Sequence, residues 1–459
     1  MNRSVIFSRI SWYAGCTAVV SFPFSISLSQ MGLAFAILFW IVDRYTARQL
    51  PGPTFNAVLL AACGIFGFQI LSLVIHAIQS TSPWTFIRMG FEKETKDVML
   101  LGMAFWVFAV TEATERRDRI FYLLRIATII LIVSGLLALL SKWRLNNIPW
   151  HMIHGWEGTA ANRYQHHAGT FFAGTPLMFH IYIPVGFLHS HLAFGALLMF
   201  VLPVFMFRVL DPIVETPRDL WKTRTVVAGV ALLLASIVFL INNARSAMIG
   251  TMFALGLGLY VFARHYWKGK SVRVAVPIAI GLIAFLTLIA FAEHLHERLY
   301  SLVISLTGQE KHTDYQRVLL WNATFGLIRD NWLLGVGPGH FQSSVETILL
   351  KVSQSNSALW YANETLQRGH AHSDVLHFMA ISGIPCLFSY LIFFILLIRR
   401  VVEKSERQFE AWKFGAAGLL VAGLYQCYFQ DDAVMLPFWI LVGLILRLTE
   451  PKSVNAKAT

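Results

Sequence analysis

The stretch FNAVLLAACGIFGFQILSLVIHA, residues 55–77, runs for 23 positions without a Lys, Arg, Asp or Glu. A helix needs about 20 predominantly apolar residues to cross the hydrocarbon core of a bilayer. A second run, VLHFMAISGIPCLFSYLIFFILLI at 375–398, is as long and equally free of charge. Neither run alternates apolar and polar residues as a membrane β-barrel strand does. The pattern therefore predicts transmembrane α-helices, which satisfy their backbone polar groups internally.

The composition supports the same fold class. Of the 459 residues, 56% are hydrophobic and only 14% are charged, against about 25% charged in soluble domains. The net charge of +12 comes from Lys and Arg dispersed between apolar runs, which favours membrane topology over nucleic-acid binding. All four cysteines fall inside apolar runs and none forms a CxxC pair, so no disulfide framework or zinc site is indicated.

The apolar runs predict about twelve spans, and hence an all-α integral membrane protein with one polytopic domain over residues 1–459. The predicted spans cover 12–27, 29–44, 55–77, 97–112, 120–141, 191–210, 224–241, 246–264, 274–292, 374–398, 413–429 and 433–449. The apolar segment 175–188 is not counted, because a thirteenth span there would place the basic connections on opposite faces. We expect it to be re-entrant or interfacial.

On this topology both termini are cytoplasmic, and the first span, behind Arg3 and Arg9, is retained. The opposite face then carries a loop at 142–190 and a larger loop at 293–373. The larger loop is well beyond ordinary connection lengths, and long loops of this kind are usually functional. The chemistry is therefore expected on this face.

Two arginines stand out on that face. Arg245 lies in NNARSAMIG, on a very short turn between two predicted spans. It is either a snorkelling residue at a helix end or a guanidinium placed to bind an anion. Arg317 begins the segment DYQRVLLWNATFGLIRDNWLLGVGPGHF, 314–341.

Apolar residues recur at helical spacing in that segment and predict an amphipathic helix lying on the membrane: Val318, Trp321, Phe325, Ile328 and Trp332. The glycines of GVGPG are expected to terminate the helix and form a turn. Because no strand precedes them, a phosphate-binding loop is only weakly indicated.

Histidines mark two further stretches. In RGHAHSDVLH, 368–377, Arg368 and His372 are four apart, which places them on one face of a helix. His377 lies deeper in the span and is expected to be a hydrogen-bonded packing residue, whereas His370 is open to either role. Around GWEGTAANRYQHHAGT, 155–170, the sequence offers Arg163 and the pair His166/His167, but too few carboxylates to support a metal site.

These motifs, in this order, carry a resemblance to a known family. NNARSAMIG at a span boundary, R-x3-W ahead of DNWLLGVGPGHF, and AHSDVLHFMAISGIPC entering the next span resemble the bacterial O-antigen ligase and O-antigen polymerase superfamily. Cys386 stands where the ligase pattern has Gly, Thr or Tyr, and Ala244 replaces a small hydroxyl residue. An arginine that often precedes the GFLHSHLAFG position is missing, and Arg163 is the candidate substitute.

The resemblance implies a GT-C-like membrane glycosyltransferase in the bacterial inner membrane, with its active site facing the periplasm and its long loops in that compartment. The implied donor is an undecaprenyl-diphosphate-linked glycan, and the acceptor is lipid A-core or another glycan. Arg245 and Arg317 would hold the diphosphate, with Arg163 and Arg368 as helpers and Trp321 and His370 as further substrate-binding residues. His372 would be the general base of an inverting transfer that needs neither a metal nor another cofactor.

Other functions remain open. A polymerase would join repeat unit to repeat unit, and a related transferase would use a protein hydroxyl. A transporter or flippase of lipid-linked sugar would carry charges deep in its spans, but Arg125 alone is basic well inside one. The polar residues gather at one face instead, which favours an enzyme. Asp431 and Asp432 are expected to be solvated loop charges.

Overall fold

The computed structural model describes residues 3–47, 56–147, 152, 164–171, 176, 178–215, 222–266, 313–355, 369–403 and 410–450. Helices dominate these residues. They are α1 Arg3–Ser21, α2 Ile26–Thr46, α3 Ala57–Gln79, α4 Pro83–Lys93, α5 Val98–Val110, α6 Thr114–Leu140, α7 His191–Glu215, α8 Thr223–Asn242, α9 Arg245–Tyr266, α10 Thr313–Asp330, α11 Phe341–Ser355, α12 Asp374–Val402, α13 Glu410–Ala422 and α14 Asp432–Leu448. Short 3₁₀ turns occupy Thr95–Asp97 and Leu145–Asn147.

The helices confirm a multi-pass all-α membrane protein. Among the described residues, seven helices are long and apolar enough to cross a membrane: α2, α3, α6, α8 and α12, together with the first 20 residues of α7 and of α9. Each predicted span in the described part of the chain overlaps a helix, and the one at 274–292 lies outside it. The count of twelve and the sidedness of the loops stay predictions.

Helix α14 is deeply buried. Every residue from Ala433 to Leu446 is buried, which is typical of a helix that is apolar all round and sits at the centre of a bundle. Small residues allow a close approach to α5, since a Cβ added at Gly443 would lie 2.6 Å from the Ala104 carbonyl. Helix α14 therefore packs directly against α5.

A small hairpin departs from the all-α pattern. Strand β1, His167–Phe171, pairs antiparallel with β2, Phe179–Tyr182. The described residues of the predicted re-entrant segment thus form a strand and turns, and strand pairing satisfies their backbone groups without a helix. Whether the segment re-enters the membrane stays a prediction.

Helix α12 is broken in its first half. Gly383 has a φ of 71°, in the left-handed region that favours glycine. Pro385 has no backbone N–H, so the carbonyl of Ile381 loses its helical donor. The N–H of Gly337, in the GVGPG turn, replaces that donor at 3.0 Å.

Two more backbone hydrogen bonds close the same break. Val336 donates to the Ala380 carbonyl at 2.9 Å, and Ile384 donates to the Trp332 carbonyl at 3.0 Å. The turn after α10 is therefore fastened to α12, and the prediction that the glycines end α10 and form a turn is confirmed.

The predicted helix α10 is present, but its buried stripe is only partly the predicted one. Ile328 is buried, whereas Phe325 and Trp332 are both 54% exposed. The face against α11 and α12 is formed instead by residues one position away, including Leu320 and Leu327. The apolar stripe was predicted to face the membrane, and whether its exposed part does so stays a prediction.

Candidate functional site

An open cavity of about 490 Å³ lies where α2, α7, α12 and α14 begin. Its lining is largely polar and comes from these helix ends and from the turn between α13 and α14. The lining residues are Ile26, Lys93, His189, Ser190, Leu192, His370, His372, Gln426, Cys427, Tyr428, Gln430, Asp431, Asp432 and Ala433. The cavity brings His372 together with residues more than fifty positions away in the sequence.

His372 is held in an unusual backbone conformation. Its φ is 49°, which costs a non-glycine residue on the order of 1 kcal/mol and is a feature of functional sites. Its Nδ1 lies 3.3 Å from Gln426 Oε1, and its side chain is buried. Ser373 follows as the N-cap of α12 and accepts from the backbone N–H of Leu376. The strained turn and the cap together fix the imidazole at the cavity wall.

His370 supports this turn as a neutral group. Its Nδ1 accepts the backbone N–H of His372 at 3.3 Å, and the two rings meet edge to face at 4.4 Å. Burial, and then the neighbouring His372, lower the pKa of His370 to about 3. Near neutral pH it can therefore accept hydrogen bonds but cannot act as a cation. Its predicted role in substrate binding stays a prediction.

Helix α10 brings its arginine and tryptophan to the same turn. The indole N–H of Trp321 donates to the Ala371 carbonyl, between the two histidines, at 2.8 Å. Arg317, one helical turn earlier, lies within electrostatic reach of His370 and Tyr428. The R-x3-W spacing thus places the guanidinium of Arg317 and the indole of Trp321, which binds the Ala371 carbonyl, on one face of the helix.

Arg245 begins α9 after the predicted short turn. Asn243 ends α8 in the left-handed conformation, with φ 58° and ψ 28°. The next residue after the arginine, Ser246, places its Oγ 2.8 Å from the hydroxyl of Tyr428, which lines the cavity. A helix N-terminus favours anions, so Arg245 and the start of α9 form a setting suited to a phosphate.

Two predicted substrate-binding residues, Arg163 and Arg368, lie outside the described residues. His167 is on β1 and contacts His180 across the hairpin, with 3.3 Å between Nε2 and Nδ1. Within the described ranges, no three His, Cys, Asp or Glu side chains are grouped to hold a metal ion.

Asp374 is a site residue that sequence reasoning missed. Its backbone N–H donates to the Gly423 carbonyl at 2.7 Å, and its carboxylate accepts the Phe429 N–H at 3.1 Å. Helix α13 therefore ends at Ala422 and not near 429 as predicted, because this carboxylate holds the chain in a turn. The polar residues of QCYFQDD, 426–432, interrupt an apolar run and could have indicated the turn.

His377 is, as expected, a buried hydrogen-bonded residue. Its Nε2 lies 3.3 Å from Glu94 Oε1 and 2.5 Å from Gln430 Nε2, and its ring meets Phe341 edge to face. Glu94 was not anticipated as its partner. This pair lies behind the cavity wall and connects to it through Gln430.

The prediction for Asp431 and Asp432 was wrong, because both side chains are largely buried in the cavity wall. Asp431 caps α14 by accepting the Ala433 N–H and lies 3.5 Å from His189 Nε2. Asp432 accepts from Gln30 Nε2 at 2.5 Å. Burial, followed by the charge and hydrogen bond of Asp432, raises the pKa of Asp97 to about 9.

Residues 230–391 match a family model described as O-antigen ligase. The matched segment includes Arg245, Arg317, Trp321 and His372, the residues on which the resemblance rests. The resemblance is confirmed. Over residues 230–391 the chain is similar to the O-antigen ligase family. A comparison of the whole chain with curated proteins gives no match.

The ligase-type segment covers about a third of the chain, and the cavity extends beyond it. The segment supplies His372 and the helices that carry Arg245 and Arg317. Gln426, Tyr428 and Asp431 come from the chain after the match, and His189 comes from before it. The cavity is therefore assembled from residues before, within and after the matched segment.

Proposed function

We propose that the protein transfers a glycan from undecaprenyl diphosphate to a sugar hydroxyl of lipid A-core. The reaction would take place on the periplasmic side of the bacterial inner membrane. The observation that carries this proposal is the placement of His372. Its imidazole is held at the cavity wall by Gln426, while α10 and α9 bring Arg317 and Arg245 to the same end of the bundle.

The tautomer of His372 suits a general base. Gln426 Oε1 can only accept a hydrogen bond, so Nδ1 of the neutral imidazole carries the proton in this contact. The basic lone pair is then on Nε2. A histidine ordinarily titrates near neutral pH, which suits the removal of a proton from an attacking hydroxyl.

The transfer is a single displacement. The acceptor oxygen forms a bond to the anomeric carbon while Nε2 of His372 takes its proton. The bond from that carbon to the diphosphate oxygen breaks, and its electron pair leaves with the lipid diphosphate. Because the acceptor attacks opposite the leaving group, the anomeric centre inverts.

Arg245 and Arg317 stabilise the departing diphosphate. Two guanidinium groups can each present a planar pair of N–H donors to phosphate oxygens. In a poorly hydrated site such preorganised donors contribute about 10²–10³-fold each to the rate. Arginine thus supplies the positive charge in this proposal, and no metal ion is assigned a role.

Glycan analysis of a deletion strain tests the proposal. We expect lipid A-core without any attached polymer, and core that carries a single repeat unit would indicate a polymerase instead. Complementation with His372→Ala should reduce transfer by about 10²–10⁴-fold, and with Arg245→Ala by about 10²-fold. Arg329→Gln is the matched control, because this side chain is 81% exposed beside Asp330. Full transfer by His372→Ala at normal membrane levels would contradict the mechanism.

A further inference from the structure

A second charged surface lies at the rim of the cavity. The described residues between 141 and 192 include Lys142, Arg144 and five histidines, and none of them is Asp or Glu. Such a one-signed surface attracts anions. The family match does not include this part of the chain, and the proposed transfer assigns no role to its described residues.

Two aromatic rings stack on this surface. Trp143, just after α6, forms an isolated β-bridge with Tyr164, and their rings are 4.6 Å apart at 26°. Gln165 holds the bridge, because its amide nitrogen donates to the carbonyls of Ala138 and Ser141 at 2.9 and 3.0 Å. Tyr164 is nevertheless 37% exposed. The rings are therefore fixed in place and partly open to solvent.

Cations flank the stacked rings. Lys142 Nζ lies 5.1 Å from the centre of the Trp143 ring. Arg144 donates through Nε to the Tyr164 carbonyl and through Nη1 to the His189 carbonyl, each at 3.3 Å. A guanidinium has five N–H donors, so these contacts orient Arg144 and leave further donors for a ligand.

The rim connects directly to the proposed reaction site. His189, whose carbonyl Arg144 binds, lines the same cavity as His372. His191, two residues on, lies within electrostatic reach of Arg144 and of Arg317. A glycan whose hydroxyl reaches His372 could therefore extend onto the rim.

We propose that Lys142, Trp143, Arg144 and Tyr164 form a subsite for an anionic sugar of the acceptor glycan. A phosphate or carboxylate on that sugar would bind Arg144 and Lys142, and the C–H face of its ring would pack on Tyr164. The statement that the bound sugar belongs to the acceptor rests on the proposed function. The contacts that would bind an anionic sugar do not depend on that function. A phospholipid headgroup offers the same phosphate but no sugar ring, so Tyr164 separates the two sources.

Binding to the full-length protein in phosphatidylcholine nanodiscs tests the subsite. The probes are glucose 1-phosphate, glycerol 1-phosphate and maltose. We expect saturable binding of glucose 1-phosphate that weakens with added salt and weaker or no binding of maltose. Arg144→Gln should weaken the binding of glucose 1-phosphate roughly tenfold. Tyr164→Ala should weaken it about threefold and leave glycerol 1-phosphate unchanged.

Three variants make the result specific. Arg144→Lys keeps the charge but loses the planar fork, so its affinity should fall between those of the wild type and Arg144→Gln. Should Arg144→Gln fail to fold, Lys142→Gln tests the same anion contact, because the lysine side chain does not brace a backbone carbonyl. Arg329→Gln, on a different exposed surface, should bind as the wild type does.

The two proposals fail separately. His372→Ala should lose transfer but keep its affinity for glucose 1-phosphate, so the subsite is measured without turnover. Binding that is unaffected by Arg144→Gln and Tyr164→Ala would place the probe at Arg245 and Arg317 and overturn the subsite. Equal affinity for glycerol 1-phosphate, with no effect of Tyr164→Ala, would overturn it in favour of a headgroup.

Discussion

The indole N–H of Trp321 and the carbonyl oxygen of Ala371 are 2.8 Å apart, and this bond links the helix of Arg317 to the turn of His372. The bond positions Arg317 and His372 relative to each other and takes no part in the reaction itself. Trp321 and Ala371 are fifty residues apart in the sequence. Their hydrogen bond helps to fix the distance between His372, the proposed base, and Arg317, which is proposed to bind the diphosphate.

Replacing Trp321 by Phe should impair transfer because the turn of His372 loses its hydrogen bond to α10. The aromatic ring remains, but the turn loses its anchor, and small misplacements of a catalytic group reduce rates by up to about 10²-fold. We expect about a tenfold lower kcat with little change in KM, and about 1 kcal/mol less stability. Trp332→Phe, at a side chain that is 54% exposed, should change neither. A KM effect alone would argue for direct substrate binding by Trp321.

Replacing Gly383 by Ala should prevent the protein from folding normally. The added Cβ would overlap the Leu333 carbonyl, and the φ of 71° is unfavourable for alanine. Strain of this kind costs about 1–3 kcal/mol before the overlap is counted. Thermal unfolding in detergent should show a markedly lower Tm or no folded protein. Gly67→Ala on α3 is the control, since nothing lies within 4 Å of its added Cβ, and an unchanged Tm for Gly383→Ala would contradict this account.

His370 should make the protein less stable in mild acid. Its pKa is lowered to about 3 in the folded state, whereas an unfolded histidine titrates near 6.5. Between these values the unfolded chain binds the extra proton, so stability falls as the pH drops below about 6.5. We expect a loss of about 2 kcal/mol from pH 7 to pH 5.

The His370→Asn variant is the matching test. Asparagine keeps a hydrogen-bond acceptor near the His372 N–H but does not titrate. Its loss of stability between pH 7 and pH 5, measured as the unfolding midpoint in detergent, should be smaller than that of the wild type. Identical pH dependence in both proteins would show that His370 is not the responsible group.

Asp97 should act in the opposite direction. Its folded pKa is raised to about 9, while an unfolded aspartate titrates near 3.9. The folded state therefore holds the extra proton in this window, and stability falls as the pH rises from about 4 to about 9. Asp97→Asn should reduce the loss of stability between pH 7 and pH 9, because the amide cannot ionise beside Asp432. An equal or steeper loss in the variant would show that Asp97 is not the responsible group.

Sequence patterns were most informative where local chemistry determines structure. Charge-free runs of membrane length predicted helices, the short turn before Arg245 was visible as NNAR between two apolar runs, and the glycines of GVGPG predicted a turn. Each of these features depends on neighbours in the chain. They located the arginines and His372 before any contact was known.

Tertiary contacts decided what the sequence could not. The apolar run continues past Ala422, so its composition does not reveal that Asp374 ends α13 there. Asp431 and Asp432 look like ordinary surface acids, because their burial depends on His189 and Gln30 from distant parts of the chain. The partners Gln426 and Glu94 were missed for the same reason.

The fastening of the GVGPG turn to the break in α12 has a consequence for engineering. Two short motifs about 45 residues apart provide each other's missing hydrogen-bond partners, so neither is a complete module. A chimera that takes only the loop from a related enzyme would have to match foreign N–H and carbonyl groups to the break in α12. Exchanging 331–340 together with 380–385 would transfer the whole joint, and acceptor preference could then be changed through the remaining loop without disturbing it.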